Sequence, residues 1–303
     1  MLGLAAAAAA GFLAARLVWF AVRPWLAQPA FARPNYRGRT VPTGAGLVLP
    51  LALFAVEGAR TLVGATGAGH DSGITAARVL TVLAVAGFCI LGAIDDVAGS
   101  GEYRGFRGHV LALAAGRVTT GAFKLLGGAA VALVVVAPAS RPDAPDGVAG
   151  VVRLVADAAL VALSANLGNL LDRRPGRVIK AGLAAFALLA LLAVLAGAGG
   201  STSSLSGVAV VVGAAAGLLL DDLREHLMLG DAGANPLGAA LGLGVVLVAR
   251  PVWRDVALAG VAALNLLGEV VSFTRVIDAV PPLRALDRLG RPSDDRPNGR
   301  SSR

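Results

Sequence analysis

Nine long apolar runs constrain this chain more than any other feature. They cover roughly residues 3–22, 44–63, 75–94, 121–138, 149–170, 181–199, 205–220, 233–249 and 254–275. A helix needs about 20 mostly apolar residues to cross a bilayer. A backbone crossing lipid must also satisfy its own hydrogen bonds, which leaves helices as the solution for runs this long. The expected fold is therefore all-α: a polytopic membrane bundle of about nine transmembrane helices. Charged residues make up only 15% of the chain, against about 25% in an ordinary soluble domain. The first run, "LGLAAAAAAGFLAARLVWFAV", exceeds a signal-peptide core and has no basic segment before it, so it reads as a retained span.

The basic residues orient the bundle. With the N-terminus outside, 20 of the 27 lysines and arginines fall in cytoplasmic segments, six fall outside, and Arg16 lies within the first span. This asymmetry predicts N-out, C-in, with the charge excess of +8 marking cytoplasmic loops. No nucleic-acid-binding motif occurs, so no nucleic-acid partner is expected. The single cysteine, Cys89, excludes an intrachain disulfide and reads as a small buried hydrophobe. Three domains follow: a transmembrane unit over 1–275, an amphipathic cytoplasmic segment over 276–290 and a disordered tail over 291–303. Pro281 and Pro282 are expected to interrupt the amphipathic run.

Four polar clusters then fall on the cytoplasmic side. They are "PNYRGRTVPTGAG" after span 1, "IDDVAG…EYRGFRGH" after span 3, "SANLGNLLDRRPGRVIK" closing span 5 and "LDDLREHLMLGDAGANPLG" between spans 7 and 8. Asp95 and Asp96 end a helix whose C-terminus already carries partial negative charge, an unfavourable place for two acids. A divalent cation shared with Asp231 turns that cost into binding energy. Oxygen-only ligands favour Mg²⁺ or Mn²⁺ over zinc. Asn166, Asn169 and Asp172 are spaced i, i+3, i+6 and share one helical face, suited to a hard cation, phosphates or ribose hydroxyls; helix-end capping or helix–helix hydrogen bonding is the alternative. Asp221 and Asp222 read as solvated loop acids. Lys124 and Lys180, the only lysines, stand beside the acidic clusters, where a compact cation suits phosphate. Asp157 and Glu269 lie inside spans.

These motifs resemble the polyprenyl-phosphate N-acetylhexosamine-1-phosphate transferases, relatives of the phospho-N-acetylmuramoyl-pentapeptide translocase. "VPTGAG", "GAIDD" with downstream "GRVTTGAFK", "NLGNLLD" and "MLGDAGANPLG" occur in the family's order from about Asn35 to Gly238. The resemblance implies transfer of a sugar-1-phosphate from a UDP-sugar to a polyprenyl phosphate lipid. UMP leaves, and the reaction is Mg-dependent, at the inner (cytoplasmic) membrane, in cell-envelope glycan synthesis. It implies catalytic roles for Asp95, Asp96, Asp172 and Asp231, with Asp231, Asp96 and Asp172 at the metal. The substrate-binding candidates are Asn35, Arg37, Arg107, His109, Lys124, Asn166, Asn169, Arg173, Arg174, Arg177 and Lys180. A homodimer is a candidate assembly. Three departures stand out. Pro175 replaces a second family aspartate after Asp172. The family's histidine-rich loop is missing, since the histidines are His70, His109 and His226. The translocase has ten spans where nine are expected here. Two rivals follow: a non-catalytic relative that binds lipid phosphate or nucleotide sugar as an envelope scaffold, and a transporter, for which Asp157 alone is suitably placed.

Overall fold

The computed structural model of the protein describes residues 1–67, 74–98, 119–140, 146–195 and 201–292. Arg107, His109 and all but two residues of the expected tail lie outside them. Within them the chain is an all-α bundle with one two-stranded hairpin. The long helices are α1 (Leu2–Leu26), α2 (Val48–Ala65), α3 (Ala76–Ala98), α4 (Thr120–Ser140), α5 (Val148–Leu171), α6 (Arg177–Leu195), α7 (Ser206–Leu223), α8 (Asp231–Val248) and α9 (Pro251–Val270). Two short helices follow, α10 (Phe273–Ala279) and α11 (Pro281–Arg288). Among the described residues, α1 to α8 are each long and apolar enough to cross a membrane. Large hydrophobic side chains such as Leu17, Phe54, Leu126 and Leu192 stay exposed on their outer faces, as lipid-facing residues must.

The ninth span differs from expectation. It was expected over 254–275, but α9 ends at Val270 and the chain turns by 96° into α10. Val271 and Ser272 take extended backbone angles, which break the helix there. Only α9 and α10 taken together are apolar and long enough to count as a span. The prolines of the amphipathic segment also behave differently. Pro281 and Pro282 open α11 rather than interrupt it, because a first-turn proline loses no intrahelical hydrogen bond.

Helices α7 and α8 form the centre: 72% of each lies inside the bundle, against 22% of α1. Two buried apolar clusters meet at α8. Ala234, Leu237 and Ala240 face one with α1, α2, α6 and α7. Ala239, Leu243 and Val246 face the other with α3, α4 and α5. Backbone contact sets the position of α8. A methyl group at Gly92 of α3 would overlap the Asp231 backbone, and one at Gly168 of α5 would overlap the Ala234 carbonyl. Small residues let membrane helices approach this closely. This packing brings the ends of α3, α5 and α7 and the starts of α4, α6 and α8 to one end of the bundle, where the described parts of the four polar clusters meet.

Candidate functional site

The hairpin β1 (Ala32–Pro34) and β2 (Thr40–Pro42) forms one rim of the site. Asn35 shapes its turn, accepting the Arg37 and Arg39 backbone N–H groups on Oδ1 at 2.9 and 3.0 Å. Asparagine does this because its side chain mimics a backbone carbonyl. Below the turn, Glu225 is buried and adopts φ 59°, the left-handed region that costs a non-glycine residue about 1 kcal/mol. Its carboxylate accepts from Asn35 Nδ2 at 2.8 Å and Tyr36 Oη at 3.2 Å, and pairs with Arg37 Nε at 3.0 Å. Arg39 approaches at 3.6 Å. The Arg174 guanidinium stacks 4.3 Å from the Tyr36 ring centroid on this rim.

Asp96 caps α8 across the bundle. Its two oxygens accept the backbone N–H groups of Asp231 and Ala232, each at 3.0 Å. These donors are orphans of a helix N-terminus, and the positive end of the helix dipole favours the carboxylate. Arg33 reaches the carbonyls of Asp96 and Val97, at 3.4 Å each, at the end of α3. The carboxylate of Asp231 carries the Lys124 ammonium, and Asn169 Nδ2 donates to the same oxygen at 3.2 Å. Asp95 lies within hydrogen-bonding reach of Asp231 and 3.7 Å from Lys124. Asp172 caps the end of α5. Burial pushes its carboxyl well above the usual range, and the charges of Asp222, Asp231 and Asp96 add to the shift.

Most of these groups, though not Lys124, Arg37 or Arg39, line one cavity of about 610 Å³. Asp95, Asp96, Asn169, Asp172, Arg173, Arg174, Asp231, Asn35 and Tyr36 all border it. Beside it, α5, α6, α8 and α9 enclose an almost wholly apolar cavity of about 280 Å³, lined by Gly168, Leu171, Val178 and Leu237 among others. The end of α5 borders both cavities: Gly168 and Leu171 line the apolar one, and their chain neighbours Asn169 and Asp172 line the polar one.

Three candidates point elsewhere. Asn166 donates to Asn265 Oδ1 of α9 at 2.7 Å and is absent from the cavity wall; the helix–helix alternative describes it. Arg177 forks onto Asp287 of α11, Nε to Oδ1 at 2.8 Å and Nη2 to Oδ2 at 3.0 Å. Lys180 donates to the carbonyls of Leu286, Asp287 and Leu289 at 2.9, 2.8 and 3.0 Å. It caps the end of α11 rather than reaching the cavity. Arg291, placed in the tail by the sequence, pairs with Asp287 at 2.7 Å and donates to the Pro175 carbonyl at 2.9 Å.

Other residues were missed. Asp222 is buried, not solvated, and accepts the Gly176 N–H at 2.7 Å. Asp221 pairs with Arg16 of α1. The signal was available, since "LLLDDL" repeats the span-ending aspartate pair of "GAIDDV". Glu225 and Tyr36 had no comparable signal. Asp157 is paired with Arg153 at 2.6 Å and Arg254 at 3.2 Å and accepts from Ser140 at 2.7 Å. It is a charge-balanced group near the opposite end of the bundle.

Among the described residues no three Asp, Glu, His or Cys side chains group so as to hold a metal alone. Asp95 and Asp231 do meet, with the Asn169 amide beside them. Mg²⁺ is commonly held by one or two carboxylates together with substrate phosphates, and this donor set fits that mode. No protein-family model matches the chain, and no curated protein is significantly similar to it.

Proposed function

We propose that this chain transfers a sugar-1-phosphate, an N-acetylhexosamine-1-phosphate, from a UDP-sugar to a polyprenyl phosphate. The reaction takes place at the cytoplasmic face of the membrane and releases UMP. The observation that carries this reading is that the end of α5 borders both a polar and an apolar cavity. One is polar and edged by arginines, as a nucleoside diphosphate requires. The other is apolar and opens one residue away on the same helix, as a lipid chain requires. A helix end that borders both kinds of cavity suits the approach of a lipid phosphate to a nucleotide phosphate.

In the reaction, an oxygen of the lipid phosphate forms a bond to the sugar-bearing phosphorus. The bond from that phosphorus to the bridging oxygen breaks, and UMP carries the electron pair away. The lipid phosphate has a second pKa near 6, so positioning matters more than a strong base. Mg²⁺ or Mn²⁺ held by Asp231 and Asp95 would neutralise the donor diphosphate and improve its leaving group. Lys124 pairs with the Asp231 carboxylate; with a cation on Asp231, its ammonium would be released to pair with a phosphate oxygen. Arg173 and Arg174 bind the diphosphate from the cavity wall. Asp96 positions Asp231 by capping its helix.

The ion pair between Lys124 and Asp231, with Pro175 beside Asp172, favours a second reading: a relative that binds these ligands without turnover. The test is purified protein with undecaprenyl phosphate, Mg²⁺ and a panel of UDP-sugars, assayed for UMP. Release that depends on both lipid and sugar supports the transferase. Binding of lipid phosphate without release under any donor supports the scaffold.

A further inference from the structure

The C-terminal helices pack against the start of α6, a helix long and apolar enough to cross a membrane. The chain leaves α9 at Val270 and turns by 96°, so α10 runs across the direction of α9. At the other end of this element, Lys180 grips the last carbonyls of α11 from the first turn of α6. Asp287 is fixed by Arg177 of the same turn. Both anchors lie in the first turn of α6, so α11 is held at the level of that helix end.

What α11 exposes there is informative. Leu283 and Leu286 sit at i and i+3 and are 44% and 62% exposed, and Leu289 beyond them is 66% exposed. Arg284 and Arg288, at i and i+4, are exposed on another face, and Arg275 of α10 is exposed too. Asp287 is buried in its clamp, which leaves Asp278 as the exposed acid of this pair of helices. An apolar stripe beside an excess of cationic side chains matches an anionic lipid surface.

We propose that α10 and α11 form an interfacial element that docks on anionic phospholipid headgroups of the membrane the bundle spans. Leu283, Leu286 and Leu289 enter the acyl boundary, and Arg275, Arg284 and Arg288 meet headgroup phosphates. The occupant is the lipid surface itself. The long arginine stems let the apolar stripe sink while their charges stay at headgroup depth. This inference rests on the placement of the helices and is independent of any sugar-phosphate transfer.

The test uses the full chain with Cys89→Ala and Leu286→Cys, labelled with an environment-sensitive fluorophore. The protein is placed in nanodiscs of phosphatidylcholine, alone or mixed with phosphatidylglycerol. Emission should shift to the blue, and spin-labelled lipid should quench it, far more in the anionic discs. A second label at Leu283→Cys should behave alike. Arg284→Glu with Arg288→Glu should weaken the anionic preference by about fivefold for each arginine removed, and added salt should do the same. Solvent-like emission at both positions in anionic discs would overturn the proposal. So would equal shifts in neutral and anionic discs, because the docking would then owe nothing to headgroup charge.

Discussion

The Lys124 ammonium of α4 rests on the Asp231 carboxylate at the first residue of α8. The pair is partly enclosed, so the contact is stronger than a surface salt bridge. A divalent cation arriving at Asp231 must displace it. We expect Lys124→Gln to tighten Mn²⁺ binding several-fold, roughly the tenfold that 1.4 kcal/mol represents at most. Asp231→Asn should weaken it by tenfold or more on the same scale. Paramagnetic resonance titration of the purified protein with Mn²⁺ measures both. Unaltered binding in Asp231→Asn would take that residue out of the metal site.

Asp95 and Asp96 are neighbours with different work. Asp96 accepts two backbone N–H groups of α8, whereas Asp95 faces Lys124 and Asp231. Hydrogen bonds to a charged acceptor contribute about 1.5–3 kcal/mol each. Asp96→Ala should therefore lower the thermal unfolding temperature in detergent by several degrees, and Asp95→Ala should lower it little. Equal losses would show that Asp96 does not hold α8.

Glu225 offers a test whose sign is unusual. Glu225→Ala removes a buried carboxylate shared by Asn35, Tyr36 and Arg37, at a cost of about 3 kcal/mol. Glu225→Gly removes the same group but suits the left-handed backbone, which favours glycine by about 1 kcal/mol. Glycine should thus be the milder substitution. Both should speed hydrogen exchange in the hairpin residues 32–42. A more stable alanine variant would mean that the backbone at this position relaxes freely.

The α11 clamp should respond to acid. Burial acts to raise the Asp287 carboxyl, but Arg177 and Arg291 outweigh it and hold it below the ordinary 3.8. A folded pKa below the unfolded one adds stability that is present above the ordinary value and is lost as pH falls through the depressed one. Limited proteolysis of the C-terminal helices should therefore be slow at neutral pH and accelerate only in strong acid. Asp287→Asn should be cleaved readily at neutral pH, with little further change on acidification. Rapid cleavage of the parent protein at neutral pH would remove the clamp from the account.

The sequence revealed the helices well because bilayer-length apolar runs have no competing reading, and eight of the nine reappear in the structure within a few residues. The ninth did not, because hydropathy is blind to a two-residue break such as Val271–Ser272. The gathering of acids at one end was legible from topology alone. Partner choice was not. The i, i+3, i+6 spacing put Asn166 on the stripe of Asn169 and Asp172, but spacing cannot say that α9 covers its upper end. Arg177 and Lys180 looked like phosphate ligands because a cation near an acidic cluster reads the same whether it holds a substrate or a later helix. Asp222 was misjudged because burial of a helix-end acid depends on a loop, here at Gly176, that arrives from another part of the chain.

The close seating of α8 has a consequence for mutational tolerance. A core packed by side chains absorbs a substitution by rearranging rotamers, and its volume is shared among many neighbours. Around Gly92 and Gly168 there are no side chains to rearrange, because backbone meets backbone. Replacement there by even alanine pushes whole helices apart and carries Asp231 with them. The lipid-facing sides of α1, α4 and α6 have no such restraint. Variation in chains built on this plan should therefore be sharply zoned, nearly frozen along α8 and along the contact of α1 with α7, where Gly11 and Gly213 meet backbone as closely, and permissive on the lipid-facing sides, with the register of the polar cavity inherited from the α8 seam rather than from the acids themselves.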